Sequence, residues 1–198
     1  MRTYHKIAII LVNYNGLSDT LACIASIRAS TERQPFIVVV DNASENAQAL
    51  EVLARPNVKV IYNEENIGFG RANNVGIEWA LENLGPQYVC LLNNDTMVEP
   101  GLLHHLTAPF RRDPEIGMTT GKIYYENDRS IVWYGGGVID RKRGWPKIAD
   151  MNSKATQEGA DRPRYVDFAS GCLMMFSAEC IRELRGFCED MFMYFEDV

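Results

Sequence analysis

The chain has 198 residues, enough for one domain with a genuine core. Its 46% hydrophobic and 23% charged residues exclude a disordered or low-complexity chain. A net charge of −6 excludes a globally basic surface for nucleic acid, so an anionic ligand would have to be held by local features such as a metal ion or backbone amides.

The opening apolar run, Ile7 to Val12, is too short to span a bilayer. It has no small-residue cleavage site and ends in Asn13-Tyr14-Asn15-Gly16, so it reads as a first buried strand, not a signal. Ser18 is placed to cap a helix running to Ser30. Phe36 to Val40 reads as a second strand, Ser44 as the cap of a helix through Leu50 and Leu53, and Val58 to Tyr62 as a third strand. A long helix is expected over Gly70 to Asn83, a fourth strand over Tyr88 to Leu92, and a helix opening at Glu99-Pro100.

Repeated β-α units of this length predict an α/β fold with a mostly parallel sheet and helices on both faces. Ligands of such sheets bind beyond the carboxyl ends of the strands. Polar residues gather there four times: Asn13 and Asn15, Asp41 and Asn42, Asn63 to Asn66, and Asn93 to Asp95.

The second half is less regular. Gly117 to Tyr125 and Ile131 to Ile139 read as strands, the second interrupted by Gly135-Gly136-Gly137, which suggests a bulge or close backbone approach. Lys147 to Arg164 reads as a loop, Val166 to Phe176 as apolar chain, and Ser177 as the cap of a helix through Leu184. The cysteines Cys23, Cys90, Cys172, Cys180 and Cys188 are odd in number and form no C-x-x-C pair; they read as reduced thiols of a cytoplasmic protein. The basic cluster Arg141-Lys142-Arg143 beside Trp145 reads as a solvated turn, with peripheral contact to an anionic membrane face or a lipid-linked acceptor as the second reading. Trp133, Tyr134 and Trp145 could stack on a sugar or belong to the core.

Four segments carry candidate chemistry. In Leu92-Asn93-Asn94-Asp95 an acidic residue ends a buried strand, a place to hold Mg²⁺ or Mn²⁺ through carboxylate oxygen, or a simple strand-ending turn. In Val40-Asp41-Asn42-Ala43-Ser44 a carboxylate could meet a nucleoside, or cap the next helix. In Asn66-Ile67-Gly68-Phe69-Gly70-Arg71 two glycines before a helix permit close backbone approach, with Arg71 either adding charge or lying on the surface. Glu196 and Asp197 follow an aromatic stretch that could equip one of them as a base; spacing alone favours an acidic helix start.

Together with Val12-Asn13-Tyr14-Asn15 and Ala169-Ser170-Gly171-Cys172, these segments resemble glycosyltransferase family 2, of GT-A fold, and most closely its rhamnosyltransferase-like branch. The resemblance implies a nucleotide-binding half over residues 1–97 and an acceptor-side half over 98–198. It implies that Asn13, Asn15, Asp41 and Asn42 line the nucleoside pocket, with Asn66, Gly68, Gly70 and Arg71 near the nucleotide. Asn94 and Asp95 stand where the family has D-x-D, with Asn93 in its first acidic place, so Asp95 would be the metal ligand. Gly171 and Glu196 would belong to the acceptor side, and Asp197 would be the general base of an inverting transfer. The implied partners are a dTDP- or UDP-sugar donor and a glycan or lipid-linked acceptor of cell-surface polysaccharide synthesis.

Members of the family continue beyond the base, often with a histidine metal ligand, so a chain stopping at Val198 reads as incomplete on the acceptor side. His5, His104 and His105 do not occupy that place and read as surface or helix residues. Two other functions compete: a nucleotide-binding module without transfer, and a nucleotidyltransferase, against which stands the lack of a glycine-rich basic loop after the first strand.

Overall fold

A computed structural model describes residues 6–31, 33–53, 55–155 and 163–192. Glu196, Asp197 and His5 lie outside these described residues. A six-stranded sheet has the order β3-β2-β1-β4-β10-β5. Its parallel strands are β1 (Ile7–Asn13), β2 (Phe36–Asp41), β3 (Val58–Tyr62) and β4 (Tyr88–Leu92). Further on, β10 (Leu173–Ser177) pairs antiparallel with both β4 and β5 (Met118–Thr119).

Period-two alternation sorts the strand residues between two cores. Ile9, Leu11, Ile37, Val39 and Cys90 face one side, beneath α1 (Leu17–Ser30) and α3 (Leu102–Arg112). Ala8, Ile10, Val38, Val40, Val89 and Leu91 face the other, beneath α2 (Phe69–Asn83) and α4 (Ala178–Leu184). Burial on both faces is why these strands read as unbroken apolar runs. At Gly76 in α2 an added Cβ would stand 2.4 Å from Ile10 Cγ2, so glycine lets the helix lie close on the sheet.

Several expectations are corrected. The first helix is capped by Gly16 without a side-chain bond; Ser18 lies inside it. Ser44 caps no α-helix: its hydroxyl is used at the strand edge, and a 3-10 helix follows over Ala47–Leu53. The third helix starts only at Leu102, after Gly101 turns left-handed (φ 85°), past the expected Glu99-Pro100 opening. The expected strand over 117–125 is split into β5 and β6 (Ile123–Tyr124), which join different sheets. The triple glycine likewise divides β7 (Val132–Tyr134) from β8 (Gly137–Asp140). Close approach is the reason: a Cβ on Gly137 would lie 2.5 Å from the Phe168 ring.

The expected loop from Lys147 begins instead as β9 (Trp145–Ile148), which pairs with β8 in a hairpin. Its Arg141 to Arg143 tip is an exposed turn, closed by Arg143 and Gly144 N–H groups donating to Asp140 O. Tyr134 is fully buried, whereas Trp145 is 62% exposed. The Ser177 cap holds, its Oγ accepting from Cys180 N at 3.1 Å. Among the described residues no helix is long and apolar enough to cross a membrane.

Candidate functional site

From β1 the chain steps outward to β2 and then β3; α2 carries it back over the sheet so that β4 pairs on the other side of β1. The strand order reverses between β1 and β4, which opens a crevice at their carboxyl ends. One polar network closes around that point. Asn13, only 1% exposed, donates from Nδ2 to Asp41 Oδ1 (2.7 Å) and Ser44 Oγ (3.0 Å). Its Oδ1 accepts from Thr20 Oγ1 (2.8 Å) and from Asn94 Nδ2 (3.4 Å). One buried amide thus ties β1 to β2, to α1 and to the turn after β4.

Asp41 is completely buried. Besides Asn13, its carboxylate accepts from Ser44 Oγ (2.6 Å) and Ser44 N (3.0 Å). These bonds hold Ala43 in a left-handed conformation (φ 64°), which costs a residue with a Cβ about 1 kcal/mol. Asn15, also left-handed (φ 56°), is exposed on the rim, and its Oδ1 accepts from Glu45 N at 2.9 Å. Asn42 is a second hub: Nδ2 donates to Asn66 Oδ1 (2.7 Å), and Oδ1 accepts from Asn63 Nδ2 and Ile67 N (each 3.1 Å). The loop carrying Gly68 into α2 is therefore fixed to the end of β2. A hollow of about 660 Å³ lined by Tyr62, Asn63, Glu64, Glu65 and Ile67 adjoins it.

The turn after β4 is held from two sides and by a bond of its own. Asn94 Nδ2 donates to Thr20 Oγ1 (2.9 Å), Thr96 Oγ1 to Asn93 O (2.7 Å), and Asn93 N to Cys172 O (3.0 Å). That leaves Asp95 exposed at the rim. Burial pushes the Cys172 thiol up to about 12, with a smaller push from the Asp95 charge. Burial raises Cys23 to about 11, against a partly offsetting hydrogen bond from Thr96, and Cys90 to about 12. All three therefore stay neutral at physiological pH, and the anionic donor at this rim is carboxylate oxygen.

That donor chemistry suits a hard divalent cation, which takes one or two carboxylates and completes its shell with phosphate oxygens and water. A bare rim carrying Asp95, Glu64 and Glu65 would repel a diphosphate. Among the described residues no group of three or more His, Cys, Asp or Glu could hold a metal by itself, so such a cation would share Asp95 with its ligand.

The structure brings Asn13, Asn15, Asp41, Asn42, Asn66, Gly68 and Asn94 to one rim, with Asp95 beside them. Gly171 is buried next to Cys172, in the turn preceding β10. Gly70 is buried in the first turn of α2. Arg71, at the start of α2, is exposed, and its Nε donates to Glu189 O (2.8 Å). His104 and His105 lie exposed on α3. The groove of about 500 Å³ between α2 and α4, lined by Glu78, Ile181 and Arg182 among others, lies on the other side of the sheet from α1.

Sequence reasoning missed Thr20 and Asn74. Thr20 carried the better signal: it follows Asn13 by seven residues, in the first turn of the helix leaving the same strand.

All five cysteines are free. We expect Ellman's reagent at pH 8 to modify exposed Cys188 first and Cys180 more slowly, since partial burial raises its pKa. Cys23, Cys90 and Cys172 should react only after denaturation; prompt reaction of all five would contradict the packing described.

The model of the family described as glycosyl transferase family 2 matches residues 8–185. An N-acetylglucosaminyl-diphospho-decaprenol L-rhamnosyltransferase of Mycobacterium tuberculosis is 25% identical over 96% of this chain and 67% of its own length. A poly-beta-1,6-N-acetyl-D-glucosamine synthase of Staphylococcus aureus is 29% identical over 93% of this chain, which spans 42% of that enzyme. Among solved structures, GalNAc-T7 with UDP, GalNAc and Mn²⁺ superposes with a TM-score of 0.71 at 22% identity, over 95% of this chain and 37% of that one. A Pyrobaculum calidifontis mannosyltransferase with GDP-Man and Mn²⁺ gives 0.61 at 16% identity, over 96% and 50%. These structural likenesses establish the fold, that of GT-A glycosyltransferases.

Proposed function

This chain belongs to glycosyl transferase family 2, and we propose that it binds a nucleoside-diphosphate sugar in the β1/β4 crevice and hands the sugar, with inversion, to a polysaccharide or lipid-linked acceptor. The observation that carries this reading is the convergence of the β1, β2 and β4 ends through Asn13 upon a rim where Asp95 stands exposed.

Each residue then has a task. Asn13 and Asp41, buried and mutually bonded, keep the ends of β1 and β2 at a fixed separation, so the rim is organised before the ligand arrives. Asn15 and the Asn42–Asn66 pair offer their polar groups to the nucleoside end. A divalent cation, Mn²⁺ or Mg²⁺, held by Asp95 and the diphosphate would neutralise charge on the leaving group. Asp197 takes the proton from an acceptor hydroxyl as that oxygen bonds to the anomeric carbon. The bond from the same carbon to the diphosphate oxygen breaks on the opposite face, which inverts the centre.

The mycobacterial relative, a rhamnosyltransferase, supports a rhamnose-like donor and a lipid-linked acceptor; the staphylococcal relative, a polysaccharide synthase, supports a polysaccharide. Calorimetry with UDP and dTDP, each with Mn²⁺ and with chelator, tests the donor half. Binding to one of them that needs the metal is expected; equal binding in chelator would remove the cation from the site. A screen of nucleotide sugars on the full-length protein then separates transfer from the second reading, nucleotide binding without turnover.

A further inference from the structure

We propose that Asn74 and Arg71 are positioning residues for the base: they dock residues 186–192 along the first half of α2 and so set where the chain enters the segment carrying Glu196 and Asp197. This rests on reading Asp197 as the base. Asn74 pairs its side-chain amide with both backbone polar groups of one residue, as a neighbouring strand would. Its Nδ2 donates to Phe187 O (3.0 Å), and Phe187 N donates to its Oδ1 (2.8 Å). The same Nδ2 reaches Glu189 Oε1 at 3.2 Å. One turn nearer the helix start, on the same face, Arg71 Nε donates to Glu189 O at 2.8 Å. At the helix start Phe69 N, a first-turn donor without an intrahelical partner, donates to Phe192 O at 3.1 Å.

Contacts at Phe187, Glu189 and Phe192 thus meet α2 at positions 74, 71 and 69. The segment runs antiparallel to the helix, toward the carboxyl rim of the sheet. Two glycines make room for it. A Cβ on Gly186 (φ +87°) would lie 2.2 Å from Asn74 Oδ1, and one on Gly68 (φ +88°) 2.3 Å from Phe192 O. The carbonyl of that same Gly68 sits 3.4 Å from Asn42 Nδ2, so Phe192 arrives beside the Asn42 network. From there Asp197 is at most about 18 Å of extended chain away, so docking Phe192 at this place bounds the region in which the base can act. Arg71, which the family resemblance sets near the nucleotide, acts in this proposal through the tail, and Asn74 acts with it.

The test is a double-mutant cycle in the full-length enzyme. Asn74→Ala is expected to lower kcat about 10- to 100-fold, the scale of an ångström-sized misplacement, with donor KM and nucleotide Kd unchanged. Combined with Asp197→Asn it should cost nothing beyond Asp197→Asn alone. Undiminished transfer by Asn74→Ala overturns the proposal, as does a loss that multiplies with that of Asp197→Asn, which would be a purely structural effect. If Asp197→Asn alone transfers normally, the base assignment is what fails. Should Asn74→Ala not fold, exposed Arg71→Ala carries the same cycle. A raised donor KM in that variant would return Arg71 to the nucleotide and refute its positioning role.

Discussion

Asp95→Ala should cost transfer about 100- to 1,000-fold, equivalent to about 3–4 kcal/mol of transition-state stabilisation, and leave the fold intact. Both halves follow from where the residue stands. Asp95 is exposed at the end of the turn after β4, so its removal opens no cavity and strands no buried partner; a surface change of that kind moves stability by about 0.5 kcal/mol or less. Its backbone is held by neighbours, since Asn94 anchors to Thr20 and Asn93 to Cys172. The carboxylate alone is lost, and with it the anionic oxygen nearest the proposed cation. Nucleotide affinity should fall in Mn²⁺ and become indistinguishable from affinity in chelator. Asp95→Glu should recover part of both. An Asp95→Ala enzyme with unchanged metal response and rate would take the cation elsewhere.

The parallel half of the fold was legible because its strands are covered on both faces. Ile7 to Val12, Phe36 to Val40 and Tyr88 to Leu92 are continuous apolar runs for that reason, and each gives way to polar residues at the carboxyl end of its strand, where Asn13 and Asp41 are still buried. The site was legible for the same reason: Asn13, Asp41 and Asn94 follow the last buried apolar residue of their strands, so topology alone brings them together. Ser44 reads as a helix cap because a serine after a strand has two uses, and only the partner 31 residues earlier, Asn13, decides between them. The second half hid its strands because β5 to β9 are only two to four residues long, too short for a readable period, and β5 pairs with the distant β10. Gly137 against Phe168 leaves no local periodicity to read. Nor does the sequence say that β10 returns to pair antiparallel with β4, the contact that sets Cys172 beside Asn93.

Asp41→Ala should be the most destabilising single change at the rim, by about 3–5 kcal/mol, since each buried donor left without an acceptor costs about 1–3 kcal/mol. The carboxylate is wholly buried and receives three bonds, from Asn13 Nδ2, Ser44 Oγ and Ser44 N. Alanine returns none of them, and the left-handed turn at Ala43 loses both bonds from Ser44 to the carboxylate. Spread over a chain of this size, such a loss lowers Tm by about 10–15 °C. Asp41→Asn should cost roughly half as much: one oxygen still serves Asn13 and the Ser44 hydroxyl, while an amide N–H now faces Ser44 N–H. Thermal unfolding followed by circular dichroism separates the three proteins. If Asp41 instead faced the ligand and carried no structural role, Asp41→Ala would keep the Tm and lose only nucleotide affinity. The buried network predicts the reverse order, with stability falling first and affinity following from a rim that no longer holds β1 and β2 together.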